Sequence, residues 1–396
     1  MLIRSVRAAV AAALTCTTVT ALAVQPDTKV TGGSFNPAIS LILDGKLSNF
    51  SQDPSTYALP GFALGEETGP GEEGLGLGES ELVLSANIDD QFYGNFTAAL
   101  TPENEVEVEE AFIETLNLGS GATIKAGRFF SHIGYLNNVH AHAWDFVDQP
   151  LVYRAMLGNQ FGDDGAQLRW VAPTDLLIEI GAEVFRGEAF PAGGAAKSGK
   201  GVKTGFVHIG GDIGASNAWR VGLSRLQADS IDRASGDEAA PDLFSGESKL
   251  SAIDFVWKWA PDGNAKERNV KFQAEYFDRD ENGTFDPASS GTPLDYQGSQ
   301  KGWYAQAVYQ FLPRWRAGLR HDRLEAKAVD VALAGTVLDN QGHEPQRTSV
   351  MVDFSNSEFS RLRLQVNKDE SRLNAKDTQW YLQYVMSLGA HGAHAF

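Results

Sequence analysis

His140-Ala141-His142 places two imidazoles one residue apart, with Asp145 and Asp148 close behind. Imidazole nitrogen and carboxylate oxygen are ligands for Zn²⁺ or a similar ion. Such pairs are more often ordinary hydrogen-bonded histidines, so both readings stand. The tail adds His391 and His394. A second cation candidate is Asp278-Arg279-Asp280-Glu281-Asn282-Gly283. There Asp278, Asp280 and Asn282 offer oxygens at alternate positions ahead of a turn glycine, the first half of a calcium loop. Ser289 stands where the closing Glu belongs, so a solvated acidic loop competes with a calcium clip.

Arginines form the third constellation: Arg316 and Arg320, then Arg347, then Arg361 and Arg363. They fall on the polar faces of three successive strand-like segments, and neighbouring strands lie about 4.8 Å apart. Opposite such a basic ladder, the 131–164 connection supplies Asp145, Asp148, Asp163 and Asp164, with Arg154 and no lysine. Acids facing arginines across a narrow polar pore set up a transverse field that orients solutes and sorts ions. Simple bracing, with the arginines paired to Asp322, Asp353 and loop carboxylates, is the alternative. The chain has no G-x-S-x-G, no H-E-x-x-H and no phosphate-cradling loop. No enzyme activity and no required cofactor is expected; Zn or Ca are the candidate ions.

The elements that must position these groups are strands. Trp380, Leu382, Tyr384, Met386 and Leu388 alternate with Gln379, Tyr381, Gln383 and Ser387, and Leu362, Leu364 and Val366 alternate with Arg361, Arg363 and Gln365. Sixteen such segments lie near 36–49, 77–89, 92–101, 105–118, 121–130, 165–173, 175–187, 203–214, 217–228, 248–260, 267–279, 301–312, 314–326, 346–355, 358–369 and 377–388. Short links alternate with long ones, the latter at 50–76, 131–164, 229–247 and 280–300. Even count, long strands and one-sided long loops predict an all-β fold: a transmembrane antiparallel β-barrel with the 131–164 loop folded inward as a constriction. Trp219, Trp257, Trp259, Trp315 and Trp380 near strand ends suit an interfacial girdle.

Composition agrees. The 396 residues carry a net charge of −18, which argues against nucleic acid as a partner. Residues 1–23 read as a signal peptide, with Arg4 and Arg7, an apolar stretch and Ala21-Leu22-Ala23. Residues 24–396 then form one barrel domain. Only Val24 to Phe35 stands ahead of the first strand, too little for a plug domain.

Ile124-Lys125-Ala126-Gly127-Arg128-Phe129-Phe130 and the following Asp145-Phe146-Val147-Asp148-Gln149-Pro150 resemble the phosphate-selective porin O/P-like barrels. His140-Ala-His-Ala-Trp-Asp-Phe and the ending Gly389 to Phe396 resemble a subgroup sometimes labelled zinc-regulated outer-membrane receptors. The resemblance implies a bacterial outer-membrane porin that passes small hydrophilic solutes or ions, divalent zinc among them. It also implies lipid and lipopolysaccharide surroundings, a Phe396 signal for the barrel-assembly machinery, and a homotrimer. One arginine in the loop departs from what phosphate selectivity needs. A non-conducting structural or adhesin barrel is the alternative, and an outer-membrane enzyme a further one.

Overall fold

The computed structural model describes residues 37–65, 68–102, 105–193, 201–237, 239–288 and 292–389. The leader at 1–23, His391, His394 and Phe396 lie outside the described residues.

Alternating residues build β1 (Ala38–Phe50), β2 (Gly74–Leu77), β3 (Ser80–Asn87), β4 (Phe92–Leu100), β5 (Val106–Thr115), β6 (Ala122–Phe130), β7 (Gly162–Val171), β8 (Leu177–Phe185) and β9 (Val202–Ile213). They continue as β10 (Asn217–Asp237), β11 (Ala240–Trp259), β12 (Asn269–Asp286), β13 (Leu294–Leu312), β14 (Trp315–Ala326), β15 (Gln346–Ser357), β16 (Ser360–Glu370) and β17 (Asp377–Gly389). From β3 onward consecutive strands pair antiparallel, and β1 pairs with β17, for instance Ile42 opposite Ser387. The ring has no open edge, so every ladder N–H and C=O can be paired inside a lipid core. β2 and β3 both lie along β1 and share one position in the ring. The fold is therefore a closed barrel of sixteen strands. The break between them passes over Asp44: a Cβ on Gly78 would sit 2.3 Å from its carboxylate.

The barrel is apolar outside and polar inside. Leu362, Leu364, Leu382 and Tyr384 are exposed, whereas Gln365, Asn367, Gln379 and Gln383 between them are buried. Lipid solvates the first set, and neighbouring side chains pair the second. Trp219 pairs across strands with Trp257, and the Trp315 ring lies tilted against Phe354 with centroids 4.8 Å apart, all beside the short turns. Tyr276, Trp303 and Trp380 stand toward the opposite rim, completing two aromatic girdles. This architecture belongs to a bacterial outer membrane. Leu364→Arg on the exterior should destabilise the folded barrel by about 2–4 kcal/mol. Asn282→Arg, beyond the apolar band, should cost about 0–1 kcal/mol. Urea titrations in lipid vesicles would measure both, and equal effects would contradict this placement of the lipid band.

Two expectations are corrected here. The long links at 229–247 and 280–300 are largely strand, because β10 to β13 run for 21, 20, 18 and 19 residues. About 9–11 residues cross the apolar band, so these hairpins continue into water. Pairing persists there, with Asp229 opposite Glu247 and Asp280 opposite Ser299. Asp278, Asp280 and Asn282 consequently share one face of an extended strand rather than a loop. Residues two apart along a strand sit about 6.6 Å from each other, which leaves no calcium-loop wrap around one ion. Asp278 instead lies 3.8 Å from Lys301 Nζ.

Candidate functional site

The long connection occupies 131–161, since Phe130 already pairs with Gly162. It carries one helical turn pair, α1 (Leu151–Leu157), closed by Gly158 at φ 61°. All seven residues of α1 are buried. They join Phe129, Phe161, Leu226, Leu250, Phe277, Tyr304 and Leu324 in the main apolar cluster. The barrel members of that cluster point inward, so the segment lies against the inner wall.

Polar anchors reinforce this packing. From the wall, Glu275 accepts the Tyr135 and Leu136 N–H groups at 2.9 and 3.2 Å and the Tyr153 hydroxyl at 2.9 Å. Gly134 makes the approach feasible, because a Cβ there would fall 2.4 Å from Glu275 Oε2. Glu183 accepts the Ser131 hydroxyl and the His132 N–H. From the segment, Asp148 accepts Arg320 Nη2 at 2.6 Å, Arg347 Nη1 at 2.8 Å, Gln365 at 2.8 Å and Asn367 at 2.9 Å. Arg154 stands 3.5 Å away. Burial opposes its charge, but Arg347, Arg320 and Arg154 outweigh burial and hold its carboxyl well below the usual range.

The expected arginine ladder exists, but it does not face acids across open space. Arg316 binds Asp145 at 3.1 Å and Asp353 at 2.6 Å. Arg361 donates to the His142 carbonyl at 2.6 Å and Arg363 to the Trp144 carbonyl at 2.7 Å. Arg320, Arg347, Arg361 and Arg363 are each 1% exposed. Direct clamping leaves no gap for a transverse field between them and the loop acids.

A cavity of about 860 Å³ remains beside the segment. Asp148 and Arg154 line it; Asp145 and the five wall arginines do not. Its acidic lining (Asp44, Glu72, Glu79, Glu107, Glu109, Asp148, Asp163 and Glu188) outweighs Lys46, Arg128 and Arg154.

His140 and His142 come together, with ring centroids 5.8 Å apart. Asp145 and Asp148 are held by wall cations, so the four-residue set expected from the sequence is not assembled. Different acids take their place. His142 Nδ1 is 2.6 Å from Glu81 Oε1, and His140 Nε2 is 3.0 Å from Glu110 Oε2. His140 Nδ1 lies 3.3 Å from Glu81 Oε2 and 3.4 Å from Glu109 Oε2. A β-bulge creates this arrangement: Thr97 pairs with Glu110 and Ala98 with Val108, leaving Glu109 as the extra residue. The bulge turns adjacent acids toward one imidazole, as an unbroken strand cannot. Sequence reasoning passed over Glu81, Glu109 and Glu110; the adjacent Glu109-Glu110 in an otherwise alternating segment was the available signal.

No family model matches the chain. An uncharacterized protein of Aquifex aeolicus is 30% identical over 387 residues, covering 92% of this chain and 80% of that one. The chain belongs to the family of that protein. Solved structures share the fold at low identity. A loop L8 deletion mutant of OmpT, an outer membrane protein of Vibrio cholerae, has TM-score 0.56 at 11% identity, covering 88% of this chain and 98% of that one. The trimer form of OmpT gives 0.54 at 11% identity, with the same coverage. An anion-selective porin from Comamonas acidovorans gives 0.53 at 9% identity, again with 88% and 98% covered.

Proposed function

We propose that this protein is a passive diffusion channel of the outer membrane, in which the 131–161 segment narrows the barrel and leaves an acidic passage for small hydrophilic cations. The observation that carries the reading is the cavity. Its lining includes Glu79, Glu107 and Glu109, while the arginines that could have favoured anions are locked against the segment. Rings of carboxylates favour cations in such pores. Divalent ions, zinc among them, belong to the solutes this passage suits. The Ile124 to Phe130 motif supports kinship with the phosphate-selective O/P-like barrels, whereas the acidic lining speaks against phosphate as cargo. The reading involves no catalysed reaction. Its partners are lipid and lipopolysaccharide around the apolar exterior, the assembly machinery, and two further copies in a trimer, an arrangement found for OmpT in its trimer form.

Purified protein in a planar bilayer tests this. Discrete conductance steps are expected, with a reversal potential in a KCl gradient that favours K⁺ over Cl⁻. The preference should weaken in Glu107→Gln/Glu109→Gln. A silent bilayer would replace this reading with a structural or adhesin barrel, and anion preference would overturn the role given to the acidic lining.

A further inference from the structure

The geometry points to a binding site for a first-row divalent transition-metal ion formed by Glu81 Oε2, Glu109 Oε2 and His140 Nδ1, clasping the inserted segment to β3 and β5. The three atoms lie within 4.8 Å of one another. Two of the separations, 3.3 and 3.4 Å, match the edge of a tetrahedron around an ion about 2.0–2.1 Å from each ligand. None of these three buried atoms makes a well-directed hydrogen bond, and the Glu81 side chain is 0% exposed. One imidazole nitrogen shared at these distances satisfies the two buried carboxylate oxygens poorly, and a cation between the three atoms would satisfy all of them.

The surroundings are those of a metal centre. His140 presents its other ring nitrogen to Glu110 at 3.0 Å, the carboxylate–histidine–metal relay that fixes tautomer and ring orientation. Glu81 is held through its second oxygen by His142 at 2.6 Å. Imidazole with two carboxylates suits Zn²⁺ or Mn²⁺ better than Ca²⁺ or Mg²⁺, which prefer all-oxygen shells. Three protein ligands leave a position for water, and Glu109 with its neighbour Glu79 lines the cavity, so an ion has a route in. This site is independent of the channel reading, because occupancy is measured without any current.

Equilibrium dialysis with Zn²⁺, then Mn²⁺, should be run on full-length detergent-folded protein carrying His391→Ala and His394→Ala, which removes the tail imidazoles. One ion per chain is expected. His140→Ala and Glu109→Gln should abolish binding, and Glu110→Gln should weaken it roughly 10–100-fold. Asp280→Asn on the outer strand face should leave it unchanged. X-ray absorption of the Zn²⁺ form should show N/O ligands near 2.0–2.1 Å with a single imidazole. Heat-modifiable gel mobility reports folding of each variant. Absence of binding to the parent, retention in folded His140→Ala, or a shell of two or more imidazoles would each overturn the assignment.

Discussion

Joining Ser131 to Phe161 through a two-residue turn should raise single-channel conductance several-fold while leaving the barrel closed. The backbone already brings these ends together, since Ser131 N–H donates to the Phe161 carbonyl at 3.0 Å. A hairpin turn can therefore replace the whole segment. All sixteen ladder positions pair without it, and an empty barrel of this strand number holds a wide aqueous channel. The cation preference should fall as well, because residues on the segment and its opposing wall no longer confront each other. The shortened barrel should also melt at lower temperature, since Leu226, Leu250, Phe277 and Leu324 lose their apolar cover. Conductance equal to that of the intact protein would remove the segment from its restricting role.

Asp148→Ala should destabilise the folded protein by about 3–5 kcal/mol, the penalty for breaking a buried ion pair from one side. Arg320 and Arg347, both 1% exposed, would keep their charge and lose their shared carboxylate. Adding Arg347→Met should recover part of the loss, because one uncompensated charge goes with it. Urea unfolding followed by Trp fluorescence and gel mobility gives both values. A single variant as stable as the parent, or a double variant showing simple additivity, would mean that Asp148 is not the keystone of the clamp.

The barrel was legible in the sequence because lipid imposes a strict rule on one face. Trp380, Leu382, Tyr384 and Leu388 must meet lipid, so their two-residue period survives intact. Above the membrane that rule lapses. The upper parts of β10 to β13 carry polar residues on their outer face, which is why 229–247 and 280–300 read as loops. Inside, wall and segment share the burden of burial. Tyr276-Phe277 and Trp303-Tyr304 are doublets in which one ring faces lipid and the next receives α1, and such doublets mark the inner apolar patch. The arginines were visible, but their partners were not, because spacing along a strand says nothing about what lies across a barrel. Local reasoning likewise grouped His140 with Asp145 and Asp148. The acids that surround it come from β3 and β5, and ring closure with one bulge sets them there.

The clamp also orders events in time. Asp148 is separated from Arg320 and Arg347 by 172 and 199 residues, and the His142 carbonyl from Arg361 by 219. The clamp's partners therefore lie far apart along the chain, and contacts of such separation form slowly. Until β14 to β16 are in place, Asp148 lacks the guanidiniums that pair it. Docking of the segment and the meeting of β17 with β1 then become late steps of one maturation.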